Sequence, residues 1–194
     1  MPSSRRRVWV TREGWYFLLV LGFILIGIVL RQVNLLVVLA GLMIGLFVFH
    51  WRLTSQMLRM LDVKRRLPEW ICAGDPLTVE LTLVNRRRRL AGWAIVLEDS
   101  LRLDQTGQKP IRPKDARTKV ALVAPRVEPQ SETRVSYRFD ARRRGRYRFG
   151  PVRVSTRFPF GLVSGAITVG QLDTLLVAPR LGRLSGESRA ADPR

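Results

Sequence analysis

The chain has 194 residues, room for one domain of ordinary size and a short extra element. Lys and Arg number 34 against 15 Asp and Glu, a formal net charge of +19, which in a soluble protein points first to nucleic acid or another anionic surface. The one cysteine, Cys72, excludes an intramolecular disulfide and a Cys-based zinc cluster, and the one histidine, His50, has no positioned partner of the kind acid–base catalysis needs.

Residues 1–13 form a basic segment carrying Arg5, Arg6, Arg7 and Arg12. Two apolar runs follow, Trp15 to Leu30 and Leu35 to Phe49, separated by "RQVN". As one helix they would reach roughly 50 Å, against a hydrocarbon core of about 30 Å, and would bury Arg31 and Asn34 at its centre. A transmembrane α-helical hairpin over residues 14–51 removes both problems, with the turn at the far interface. The flanks set its orientation. Arg5, Arg6, Arg7 and Arg12 precede the first span, and Arg52, Arg59, Lys64, Arg65 and Arg66 follow the second, whereas the turn holds Arg31 alone. The positive-inside rule then places both termini in the cytoplasm, as in a multi-pass inner-membrane protein, with Trp9, Trp15, Tyr16 and Trp51 as an interfacial belt. A cleaved signal peptide competes with this reading but lacks a small-x-small site and leaves the second run unexplained. A buried helical hairpin of a soluble protein is the other competitor.

From residue 52 to about 180 the pattern alternates. In "LTVELTLVN", Leu77, Val79, Leu81 and Leu83 share one face, and "TRVSYRFD" repeats the period with Val135, Tyr137 and Phe139. Further strands are expected at Leu58 to Arg66, Trp93 to Leu101, Lys119 to Ala124, Tyr147 to Thr156, Val163 to Val169 and Thr174 to Val177. Turn residues in "AGDP", "NRRRR", "TGQKP", "EPQS" and "RRRG" separate them. This many short strands without a crossover helix indicates an all-β, immunoglobulin-like antiparallel β-sandwich held by apolar burial, followed by a disordered polar tail over 181–194.

The stretch "RRRGRYRFGPVRVSTRFPFGLV" interleaves arginines with aromatics, as nucleic-acid-binding surfaces do. Its parity argues otherwise: Tyr147 and Phe149 face one way and Arg146 and Arg148 the other, and after Gly150 and Pro151 the inward role passes to Val152 and Val154. The aromatics are therefore expected in the core, the arginines on a solvated face, and a bulge or bend at Gly150 and Pro151.

That stretch, together with the hairpin and "LPEWICAGDPLTVELTLVN", resembles the N-terminal half of the bacterial and archaeal family called domain of unknown function 58. The matching positions are Thr11 and Gly14 before the first span, then Gly74, Asp75, Pro76 and Asn85, then Arg144, Gly145, Tyr147, Gly150, Pro151, Pro159, Phe160, Gly161 and Leu162, and finally Pro179. Phe158 stands where an acidic residue is common in the family. The resemblance implies a MoxR-type AAA+ ATPase as partner and a role in assembling other proteins or complexes. The family's C-terminal segment, likened to a von Willebrand factor type A domain, is not in this sequence, which reads as a truncated relative or a fragment.

The sequence offers no catalytic, cofactor-binding or metal-binding candidates. Glu98, Asp99, Asp104 and Asp115 show no pairing, "LEDS" reads as a strand ending in a turn, and there is no P-loop, "GxSxG" or His-rich pattern. The expected function is a non-catalytic, membrane-anchored scaffold or interaction module whose partners are the lipid bilayer and an acidic protein such as the ATPase. A membrane-tethered nucleic-acid-binding protein is the alternative. The set Arg52, Arg59, Lys64, Arg65 and Arg66 is expected to hold the β domain against anionic headgroups, leaving Arg86 to Arg89 and Arg142 to Arg144 on loops for an acidic partner.

Overall fold

A computed structural model describes residues 5–31, 34–104, 117–141, 143–169 and 172–179. The "TGQKP" turn, Asp115, Arg142 and the 181–194 tail lie outside the described residues.

The chain opens with β1 (Arg5–Val10), followed by α1 (Arg12–Arg31) and α2 (Asn34–Met57). Both helices are long and apolar enough to cross a membrane, and only 6% of the apolar window of α1 and 17% of that of α2 is buried. Core helices of soluble proteins hide far more of such a surface. Between the helices Phe17 stacks on Phe47 at 6.3 Å, and Phe47 meets Trp51 at the same distance. Leu19, Phe23, Ile26, Val29, Val38 and Leu42 point outward and are exposed.

The rest is β structure: β2 (Leu61–Arg66), β3 (Trp70–Cys72), β4 (Pro76–Asn85), β5 (Gly92–Asp104), β6 (Arg117–Val127), β7 (Ser131–Asp140), β8 (Gly145–Phe149), β9 (Val152–Thr156), β10 (Val163–Val169) and β11 (Asp173–Ala178). A small sheet runs β2-β4-β7, and a large one runs β1-β10-β9-β5-β8-β11-β3 with β6 on the other side of β5. Both sheets are open and face each other across one apolar cluster, as a β-sandwich requires. Leu77, Val79, Leu81 and Leu83 of β4 meet Ile95, Leu97, Phe149, Val154, Ile167 and Leu175 of the large sheet there. Burying each such side chain contributes about 1.5–3 kcal/mol.

Several elements depart from the sequence reading. The expected strand at Leu58 begins at Leu61, because α2 continues to Met57 so that Thr54 and Leu58 can pack on Gly165 of β10. The expected strand Tyr147–Thr156 is two strands. Three residues, Gly150 to Val152, stand against two of β5, since Phe149 pairs with Leu101 and Arg153 with Glu98. That one-residue bulge is the bend that the parity shift required. The arginine-rich N-terminus is more than a basic segment: it forms β1, pairing antiparallel with β10 from Arg5–Thr168 to Val10–Val163. The body is also not antiparallel throughout, because the short β3 joins β11 in parallel.

The start of α1 shows why β1 matters. Thr11 caps the helix, its Oγ1 accepting from Gly14 N at 3.1 Å. The same hydroxyl donates to Gly161 O, and Thr11 N donates to Leu162 O at 3.0 Å. Gly14 lies so close to the Leu162 carbonyl that a Cβ would clash with backbone. Gly14→Ala should therefore cost about 1–3 kcal/mol by overpacking. Gly22→Ala, where an added Cβ meets nothing within 4 Å, should be neutral or stabilising. Thermal unfolding of the two variants in detergent checks this: the midpoint should fall by a few degrees for the first and not for the second.

Candidate functional site

Three polar clusters organise the molecule. The first lies between the sheets. Arg65 shares the inward parity of Leu61 and Val63 on β2, and Asp99 shares that of Ile95, Leu97 and Leu101 on β5. They form an ion pair with no side-chain exposure on either partner. Arg65 also reaches Asp173 Oδ2 at 2.9 Å and Gly150 O at 2.9 Å, and its guanidinium lies 5.1 Å from the Phe149 ring centre. Asp99 accepts from the Tyr137 hydroxyl at 2.8 Å and from Ser100 N at 2.8 Å. Burial first, and then the Asp99 carboxylate, push the Tyr137 phenol well above its ordinary value. Arg65 and Asp99 are sealed from solvent, and the cluster ties β2, β5, β7 and β11 together, with the Asp173 carboxylate alone of these ion-paired groups partly exposed.

This corrects two readings. "LEDS" lies within β5 rather than at a turn, and Arg65 is no headgroup contact, because it points into the core while Lys64 and Arg66 point out. Period two carried the signal: Arg65, Asp99 and Asp173 sit in phase with buried apolar neighbours, and Tyr137 with the half-buried Val135 and Phe139.

The second cluster surrounds Asn85, fully buried at the end of β4. Its Nδ2 donates to the carbonyls of Leu90 at 3.0 Å, Val127 at 3.3 Å and Glu128 at 2.9 Å, and its Oδ1 accepts from Arg87 N and Nε. Arg87 Nη1 then reaches Gln56 O at 3.2 Å in the last turn of α2, where a cation suits the helix dipole. Arg87, expected on a loop open to an acidic partner, is therefore buried and fastens α2 to the β body. Arg86, Arg88 and Arg89 remain exposed.

The third cluster joins both helices to the β9–β10 loop. Thr54 Oγ1 donates to Phe158 O at 3.2 Å, and the fully buried His50 ring meets Phe160 edge-on at 5.8 Å. Phe158 stacks on Trp93 at 5.7 Å, and Thr156 Oγ1 donates to Trp93 O. His50 is thus a buried element of the junction, its ring beside Phe160 and the backbone of Arg157 and Phe158.

The remaining candidates are dispersed. Glu98 faces outward in register with Arg153, Asp104 pairs with Arg148 at 2.7 Å, and Cys72 is a half-buried free thiol on β3. Among the described residues no three His, Cys, Asp or Glu side chains converge as metal ligands. An open groove on the outer face of the small sheet is lined by Arg66, Leu67, Pro68, Glu80, Arg134 and Ser136. In the arginine-rich stretch, Tyr147 and Phe149 are buried and Arg146 and Arg148 exposed, so these two aromatics are not a stacking surface for bases, whereas Phe160, expected in the core with them, is exposed at the β9–β10 loop.

No protein-family model and no curated protein matches the chain. Among solved structures it is similar to a β-glucosidase from Listeria innocua in complex with gluconolactone, at 18% identity and a TM-score of 0.35 over 61% of this chain and 16% of the glucosidase. It is also similar to Spo0M, a sporulation control protein from Bacillus subtilis, at 12% identity and a TM-score of 0.33 over 62% of this chain and 50% of Spo0M. Neither likeness bears on activity.

Two predictions follow from the buried ion pair. Arg65→Met leaves two carboxylates without their cation and should cost about 3–5 kcal/mol, lowering the unfolding midpoint on the order of 10 °C. Tyr137→Phe should cost about 1–3 kcal/mol near neutral pH by depriving Asp99 of a donor. The phenol is raised in the folded state, so its contribution is complete below about pH 10 and declines as pH rises further. Denaturant unfolding at about pH 8 and pH 11 should show a shallower alkaline loss in Tyr137→Phe than in the wild type, with a residual loss from Tyr147, also raised by burial.

Proposed function

We propose that the chain is a two-span inner-membrane protein whose immunoglobulin-like β body lies on the cytoplasmic face as a non-catalytic scaffold or interaction module. The observation that carries this reading is the shared anchorage of the helices. The start of α1 is bonded to the β9–β10 loop and the end of α2 to that loop and to Arg87, while their apolar flanks stay exposed. Two helices held at one end and bare along their length fit a hairpin inserted from one side of a bilayer.

Orientation rests on charge. Arg7, Arg12, Arg52, Arg59, Lys64 and Arg66 are exposed at the anchored end, against Arg31 at the far end of α1. The partner class we propose is an acidic protein surface, which the outward Arg102, Arg146, Arg148 and Arg153 of the large sheet would complement. A MoxR-type AAA+ ATPase is the partner that the family resemblance implies.

Protease treatment of membranes from a bacterial host tests the topology. The β body should be degraded in inside-out vesicles and protected in right-side-out ones. Digestion in right-side-out vesicles alone would remove both the orientation and any cytosolic partner.

A further inference from the structure

The β9–β10 loop, from Arg157 to Leu162, is tied to the helices at three points: Thr54 to Phe158, and Thr11 to both Gly161 and Leu162. Gly161 adopts a left-handed φ of 71°, which turns the chain back toward β10 immediately after Phe160. The turn leaves the Phe160 side chain at the tip, 52% exposed, with one edge against the His50 ring.

His50 fixes how deep that tip lies. It precedes Met57, the last residue of α2, by seven positions, which is about 10 Å along a helix axis. At 24 residues α2 is about 36 Å long, only about 6 Å more than the hydrocarbon core of a bilayer. A point about 10 Å from the end of α2 therefore falls at the boundary between headgroups and acyl chains, or just inside it. Trp15 and Tyr16 on α1 and Trp51 on α2 lie near this level and are exposed, 66%, 66% and 39% respectively. Around them Arg12, Arg52 and Arg157 are exposed, as is Glu13, whose carboxylate is within electrostatic reach of Arg157.

We propose that this loop is a membrane-contacting wedge, with Phe160 inserted at the headgroup–acyl boundary and Arg157 on phospholipid phosphate. The inference rests on reading α1 and α2 as membrane spans. An aromatic flanked by a cation is the composition suited to this depth, where the ring meets acyl chains and the guanidinium meets phosphate. The wedge would hold the β body at a fixed tilt to the membrane through a residue more than a hundred positions from either helix. It takes the place of Arg65, whose side chain is in the core.

Depth measurement on the full chain tests the wedge. Cys72→Ser removes the native thiol, and single cysteines are then introduced by Phe160→Cys, by Ser136→Cys on the outer face of the small sheet, and by Leu42→Cys in the middle of α2. Each carries a fluorophore in vesicles of phosphatidylcholine and phosphatidylglycerol containing acyl-brominated lipid. The label at 160 should be quenched several-fold more than that at 136 and shielded from aqueous iodide, with the label at 42 quenched most. Equal quenching at 160 and 136, with strong quenching at 42, overturns the wedge and leaves the hairpin standing. Absence of quenching at 42 overturns the membrane reading and the wedge with it. Should Phe160→Cys fail to fold, a label at Arg157→Cys, exposed in the same loop and placed at the phosphate level, should still be quenched more than that at 136, and equal quenching of the two overturns the wedge.

Discussion

Arg65 and Asp99 place two full charges between the sheets, and the groups around them replace the water they lost. Removing such ions from water costs several kcal/mol each, which attraction alone offsets only with good geometry and further hydrogen bonds. Those bonds come from separate elements: Tyr137 on β7, Ser100 N on β5, Gly150 O at the bulge and Asp173 on β11. The consequence is register more than stability. A one-residue slip of β2 would turn Arg65 to solvent and leave Asp99 buried without its cation, so the pair selects one alignment of the small sheet on the large one. The bulge belongs to the same arrangement, because it brings the Gly150 carbonyl to the guanidinium while Gly150 N is held by Ser100 O at 2.6 Å.

The second constraint is that a helical hairpin and a β body must meet without leaving backbone groups unpaired. Here the meeting surface is built from residues about 150 positions apart. Thr11 serves two tasks, capping α1 and holding the β9–β10 loop, and Gly14 lets helix and loop approach closely enough for both. At the other helix, Arg87 takes up a carbonyl of the last turn and is itself held by Asn85. The start of α1 and the end of α2 are thus closed by the β body, so the orphan backbone groups there find partners.

Much of this was legible in the sequence, for identifiable reasons. The apolar runs, the alternation of β4 and β7 and the parity shift at Gly150 are local signals, and each corresponds to an observed feature. What was missed depends on tertiary context. β1 is written "RRRVWV", and its strand character comes from pairing with β10 rather than from burial on one face. β3 is three residues long, too short to show a period. Arg65 and Arg87 sit in basic runs that look solvated, and only their phase against Leu61 and Val63, or their place after the buried Asn85, distinguishes them from Lys64, Arg66 and Arg86. Charge composition could not make that distinction. The junction residues Thr11, Gly14 and Gly161 were visible as positions of a resemblance, without the contacts that explain them.

The same contacts determine what counts as a folding unit. A fragment starting after the hairpin would lose β1 and leave β10 as an open edge, since β10 pairs with β1 on one side and β9 on the other. It would also lose Thr54 from above Gly165, as well as His50, against which Phe160 packs. An exposed strand edge beside an uncovered apolar face favours pairing with other chains. The hairpin is therefore part of the β body's own packing rather than an anchor attached to a finished domain. Any force that tilts or shifts α1 acts directly on β1 and, through Thr11, on the β9–β10 loop. A partner bound to the outer face of the large sheet would accordingly act on the same strands that α1 and α2 hold.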